Sequence, residues 1–478
     1  MPESILSTPT LSSTSESIFV PLSASPIPLD TTKREHIVAP GDTLYGISLN
    51  YGLSIESILA LNTLLNPDLL EVGQVIQLPQ EPREQTPAEK LFADTNIVRS
   101  VESAAFDVDN FIQSQAGFIR LAKDKVALRL ADGSVLDETL SASEIIKRVS
   151  LEFSVNPRLL LALLEYRAGW LSSNQISDAK RTNPLISEED SIFDRAGLYK
   201  QLSWAANEIN RGYYSAKYGK SGFLEFKDGN RLSFAPGLNA GTISLQRFLS
   251  LFQFTQQWQQ DVSSNGFQET YKFYFGDPTI ENVTAQIPEI LNQPTLTLPF
   301  SEGEVWFYTG GPHGGWGDGS AWAAIDLVPP DIRPMGSPLC YQSNTALRSV
   351  ADGMIVRSGR GAVILDLDGD GDESTGWTIL YLHIASNNRV PEGTFVKVGD
   401  IIGYPSCEGG FSTATHVHIA RRYNGEWIPA DDLHSAFTMS NWVVVGIEGQ
   451  EYQGYMIRDS VQMIAEQSRE LPINHISR

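Results

Sequence analysis

The sequence predicts a multidomain α+β protein, with a small βααβ unit first, a mostly helical domain in the middle and an all-β domain after it. Three observations carry this. The 478 residues amount to about three domains at roughly 150 residues each. Two Pro-containing stretches, 81–94 and 286–300, divide the chain. Between them apolar residues recur at helical spacing, whereas beyond the second the pattern changes to short strand-like runs broken by Gly-rich turns.

Composition narrows the function classes. An apolar fraction of 41% suits globular domains with real cores. The net charge of −22 argues against a nucleic-acid partner, which needs a basic face. It also argues against docking by charge on an anionic membrane or wall polymer, whereas a neutral sugar needs no net charge. No apolar run reaches the ~20 residues of a membrane helix, so no transmembrane segment is expected. The start, Met1-Pro2-Glu3-Ser4, shows neither the cationic segment nor the apolar core of a signal peptide.

Residues 1–34 are rich in Ser, Thr and Pro and predict a disordered arm. Residues 35–80 predict a compact unit. His36-Ile37-Val38 reads as a strand, Pro40-Gly41-Asp42-Thr43 as a turn, and Asp42 or Thr43 as the cap of a helix through Leu44, Ile47 and Tyr51. Ser54 caps a second helix that ends near Asn62, and Val72–Pro79 closes the unit as a strand. His-Ile-Val-x-Pro-Gly-Asp-Thr-Leu, Ile58-Leu59-Ala60-Leu61-Asn62 and Val72-Gly73-Gln74-Val75-Ile76-Gln77-Leu78-Pro79 together resemble a LysM domain. The resemblance implies binding of N-acetylglucosamine-containing glycans such as peptidoglycan. It places the groove at Gly41, Asp42, Thr43, Leu44, Asn66 and Pro67.

Residues 95–285 predict helices at 197–213 and 240–254, one starting at Asn156-Pro157 with Leu159, Leu160, Leu163 and Leu164 as its apolar stripe, and a hairpin near 126–133. The stretch 156–170 resembles the lysozyme-like fold of lytic transglycosylases. Arg167 stands where that family has its catalytic Glu, and an arginine is no general acid at ordinary pH. Glu165 lies about 200° away around the helix. The domain is therefore expected to be non-catalytic, a glycan-binding or spacing module.

Residues 301–435 predict an all-β domain, with 436–478 as an extension. Four of the seven histidines form one pattern there. Residues alternate faces along a strand, so His416 and His418 share one face. Two adjacent imidazoles suit a shared metal ion. The motifs around His313, Ala324-Ile325-Asp326-Leu327-Val328, Leu380-Tyr381-Leu382-His383 and Thr415-His416-Val417-His418 resemble lysostaphin/LytM-type zinc endopeptidases. The resemblance assigns His313, Asp326 and His418 to one zinc ion, and His383 and His416 to catalysis. That family usually places the first His and the Asp four residues apart. Here Asp326 is 13 beyond His313 and Asp318 is five beyond. The strand context favours Asp326, with Asp318 in reserve and 316–322 as a loop inserted over the cleft.

Two further features complete the reading. Asp366, Asp368 and Asp370 fit the first positions of a calcium loop, but Trp377 stands where an EF-hand needs Glu, so a solvated acidic turn is expected rather than calcium. Cys340 and Cys407 are compatible with one bridge in an exported protein, a closure that contributes about 4 kcal/mol. The expected function is a peptidoglycan hydrolase of the extracellular space or cell envelope, cutting a stem or cross-bridge peptide. The alternatives are an inactive envelope protein that localises or activates another hydrolase, and a secreted metalloprotease acting on Gly-rich proteins.

Overall fold

The computed structural model describes residues 34–478 apart from 40, 41, 52, 54, 65, 68, 81, 83, 192, 220, 282–286, 333–335, 470 and 471. The N-terminal arm, the expected groove residue Gly41 and the expected cap Ser54 lie outside the described residues. The architecture is a LysM-type βααβ unit, a helical middle and a β-rich C-terminal region.

In the first unit Arg34–Ile37 and Val75–Leu78 pair antiparallel, with helices Leu44–Tyr51 and Ile55–Leu59 between them. Thr43 Oγ1 accepts the Gly46 N–H at 2.9 Å and caps the first helix. Asp42 instead ties the turn, accepting the Ala39 N–H and facing His36 Nε2 at 2.7 Å. Asn62 locks the closing strand: its amide donates to the Gln77 carbonyl and accepts the Gln77 N–H, both at 2.8 Å. Val38, Ile47, Ile58 and Ile76 form the core, and Phe223 of the middle region completes it.

In the middle region Pro157–Ala168 is a helix capped by Asn156, with Pro at its first turn. Leu159 through Leu164 are all buried, so the helix is enclosed on every side rather than on a stripe. Helix Leu198–Lys217 continues past the expected end, and Ala240–Ser250 stops before it. Glu165 is occupied in holding the chain after its helix: it accepts the Leu171 and Ser172 N–H groups and the Ser172 hydroxyl. Trp170, Trp204, Tyr213 and Tyr214 are core residues, none more than 8% exposed.

The C-terminal region is built on one antiparallel sheet. Its strand order is Phe395–Val396, Gly353–Gly359, Ala362–Asp366, Trp377–Leu382, Val417–Tyr423, Ala324–Val328, Val305–His313 and His475–Ser477. The last strand pairs with Val305–His313, so the extension closes the edge of the sheet. The two faces have different partners. Ile379, Tyr381, Ile419 and Leu327 pack into a core of the C-terminal region itself. Leu380, Leu382, Ala420 and Ala324 pack into the core of the helical region. Trp427 anchors that contact, its indole N–H donating to the Phe153 carbonyl.

Candidate metal centre

Strand register assembles the site. His418 lies directly opposite Asp326 on one side and Leu382 on the other. Directly opposed residues share a face, so His418 and Asp326 both point toward the helical region, as Ala420 and Leu382 do. His313 ends the next strand. His416 precedes its strand and bridges to Ser406. His383 follows its own strand in a left-handed conformation, φ 69°, which costs a non-glycine residue energy and turns the ring back to the cleft.

The ligand atoms of His313, Asp326 and His418 lie within 4.8 Å of one another. His313 Nε2 is 3.3 Å and His418 Nδ1 3.4 Å from Asp326 Oδ1, and the two nitrogens are 2.9 Å apart. Asp326 Oδ1 is buried and has no hydrogen-bond donor. Two ring nitrogens and a carboxylate oxygen turned toward one point, with that oxygen unsatisfied, fit a divalent ion. Two His and one Asp, with a position left open, are a donor set that suits zinc.

Backbone carbonyls fix which nitrogen of each ring faces inward. His313 Nδ1 is 2.8 Å from the Gly311 carbonyl and His418 Nε2 3.0 Å from that of Gly315. His416 Nδ1 is 2.8 Å from the Ala414 carbonyl and His383 Nδ1 3.1 Å from that of Glu408. Each carbonyl takes an N–H, which leaves the other nitrogen as a lone pair for metal or proton. The His383 and His416 rings lie 4.5 Å apart between centroids, and His416 Nε2 is 3.6 Å from Asp326 Oδ1.

The electrostatics agree. Burial depresses the His383 imidazole well below its usual range, and the neighbouring His416 and His418 add to this. Burial lowers His418 as well, against the pull of Asp326. His313 is raised, because Asp326 and the Gly311 carbonyl outweigh its burial. Asp326 is held well below the carboxylate range: burial opposes this, and His313 and His416 overcome it.

Asp318, the reserve ligand, is engaged elsewhere: Arg211 Nη2 lies 2.8 Å away and Asn207 donates to it at 2.7 Å. Cys340 and Cys407 are bridged. In the acidic turn, Asp366 is buried and accepts the Asp368 and Gly371 N–H groups. Burial, with Asp368 beside it, pushes its carboxyl up to about 6. In the first unit Asn66 and Pro67 are exposed. Leu44 is 4% exposed, its side chain in the core on the apolar side of its helix. Sequence reasoning missed several residues that line the cleft, two of them beside His313. Tyr452, with φ 65°, stacks on His313 at 4.3 Å, and Glu451 accepts the Gly314 N–H at 3.2 Å. Both lie on the strand Gln450–Arg458 of a separate four-stranded sheet, in the stretch read from the sequence only as an extension.

Three family models match the chain: LysM domain over 36–79, the N-terminal domain of LasA over 90–288, and peptidase family M23 over 335–429. The middle region thus matches the N-terminal domain of LasA. Protease LasA of Pseudomonas aeruginosa is 25% identical over 307 residues, covering 60% of this chain and 67% of that protein. Among solved structures, the deep-sea M23 metalloprotease pseudoalterin is 23% identical, covering 39% of this chain and 99% of that one with a TM-score of 0.30. The catalytic domain of lysostaphin from Staphylococcus simulans is 25% identical, covering 26% of this chain and 87% of that one with a TM-score of 0.18.

Proposed function

We propose that this chain, a LysM-bearing peptidase of the lysostaphin/LytM type, is a zinc-dependent endopeptidase of peptidoglycan peptides. It would act in the cell envelope or outside the cell. The observation that carries the reading is the convergence of His313, Asp326 and His418 on one point, in a cleft that also holds His383 and His416. His313 Nε2, His418 Nδ1 and Asp326 Oδ1 would hold the metal. Zinc bound there supplies Lewis-acid polarisation of the scissile carbonyl and a nucleophile at neutral pH. His383 and His416 present lone pairs to the same space. Between them they take the nucleophile's proton and return one to the leaving amine. Burial keeps His383 neutral, the form in which an imidazole accepts a proton. Glycan binding by the LysM unit raises the local concentration of peptide around the cleft.

The test is release of free amines from purified peptidoglycan and from a soluble Gly-rich protein, with and without added N-acetylglucosamine oligomers. The oligomers are expected to lower release from peptidoglycan several-fold and to leave cleavage of a short soluble peptide unchanged. Faster cleavage of the soluble protein, indifferent to the oligomers, would favour the metalloprotease alternative.

A further inference from the structure

The cleft has a second wall. The sheet face that carries His418 and Asp326 is the one the helical region covers, and a cavity of about 1250 Å³ lies between them. Arg129, Arg148, Glu152 and Tyr199 of the helical region line it together with His383 and His416. The hairpin of Lys123–Arg129 and Val135–Ser141 contributes Ala127, Arg129 and Val135 to its lining. Arg129 pairs antiparallel with Gly409. The Gly409 N–H donates to the Arg129 carbonyl at 3.0 Å and the Cys407 N–H to the Ala131 carbonyl at 3.2 Å. Alternate residues on each side are bonded, which is how one strand adds to the edge of another.

This edge belongs to the reaction centre. The Glu408 carbonyl faces His383 Nδ1, and the Ser406 N–H donates to the His383 carbonyl. Ser412 Oγ lies 3.3 Å from His416 Nδ1. An extended backbone laid along Cys407–Gly409 therefore runs beside both histidines. The side chain of the bound strand also has a defined seat. The Arg129 guanidinium donates to the Ser412 carbonyl at 3.2 Å and lies 5.5 Å from the centroid of Phe411. Phe411 is 82% exposed, so its ring face is open to a ligand. A carbonyl oxygen and an aromatic face select a cation.

We propose that the Cys407–Gly409 edge is the docking strand for an extended substrate peptide, that Phe411 and the Ser412 carbonyl form a subsite for a cationic side chain, and that Arg129–Ala131 holds this site as an internal competitor. The inference rests on the peptidase reading and names the class of peptide it takes: one with an amino-bearing side chain, such as a lysine or another diamino acid, next to the scissile region. Two backbone bonds, the Arg129 guanidinium and the Glu138–Arg360 ion pair hold the hairpin on this edge, so it attenuates binding without abolishing it.

The experiment measures binding, which does not depend on turnover. A fluorescently labelled lysine-containing peptide and its norleucine counterpart are titrated into the full chain and read by anisotropy. Arg129→Ala is expected to tighten the lysine peptide by about tenfold, the scale of one charge-assisted contact. Glu138→Gln, which removes the hairpin's ion pair with Arg360, is expected to shift it the same way by a smaller factor. In the Arg129→Ala chain the lysine peptide is expected to bind about fivefold tighter than the norleucine peptide, and Phe411→Ala to erase that preference. No tightening in either hairpin variant, or equal binding of the two peptides, would overturn the proposal. Tightening without any amide cleavage would count against the peptidase reading and leave this subsite standing.

Discussion

Two largely buried carboxylates lie against the strand Val417–Tyr423, one near each end, and they are treated in opposite ways. Glu373 sits on Arg422. It accepts from Arg422 Nη2 at 2.6 Å and from Arg357 Nη2 at 2.9 Å and Nε at 3.2 Å. Asp326 sits opposite His418, and its Oδ1 faces three imidazole nitrogens at 3.3, 3.4 and 3.6 Å with no donor to satisfy it. Guanidinium groups are permanent donors with a planar fork, so they close a carboxylate off. Imidazoles turned to present lone pairs leave it open to a cation. Burial is common to both sites. What separates structure from chemistry is whether the partner group brings its own proton.

That contrast predicts a separation of effects. Asp326→Ala is expected to abolish amine release, by at least about a thousandfold, while far-UV circular dichroism stays that of the folded chain. Activity retained to within tenfold would break the comparison. Glu373→Ala is expected to act on stability, costing roughly 3–5 kcal/mol in urea unfolding because it strands the buried Arg422 guanidinium and the half-buried one of Arg357.

A pH dependence sharpens the point. Burial alone would raise the Glu373 carboxyl, but Arg357, Arg422 and Arg99 outweigh it and hold it at about 2, against an ordinary value of 4.5. A carboxyl depressed in the folded state stabilises fully above its unfolded value and loses that contribution as pH falls through its folded one. About 3 kcal/mol should therefore disappear between pH ~4.5 and pH ~2. Glu373→Gln should flatten that part of the stability profile, and an unchanged acid limb would contradict the assignment. The smallest effect belongs to the first unit. Thr43→Ala removes the cap on Gly46 and should cost that unit about 1 kcal/mol, read as earlier hydrogen exchange in Leu44–Tyr51.

The same contrast explains what the sequence disclosed. His416 and His418 were legible because alternation along a strand is a local property. Asp326 was legible from its strand context, although Asp318 stood nearer the usual spacing; only the structure shows Arg211 and Asn207 occupying Asp318. The helix at 157–168 was evident from its Asn-Pro start, but its complete burial depends on neighbours far along the chain. Tyr452 and Arg129 were invisible as cleft residues. Each reaches the cleft from another sheet or hairpin, with nothing in its own segment to mark the destination.

The central claim is that His313, Asp326 and His418 form one metal centre that drives peptide hydrolysis. The most direct test is zinc content together with amine release from purified peptidoglycan, for the full chain and for His418→Ala. One zinc per chain with amine release, both lost in the variant while the fold persists, is the predicted result. A full chain purified without chelators that holds no zinc, or amine release that survives in His418→Ala, would contradict it.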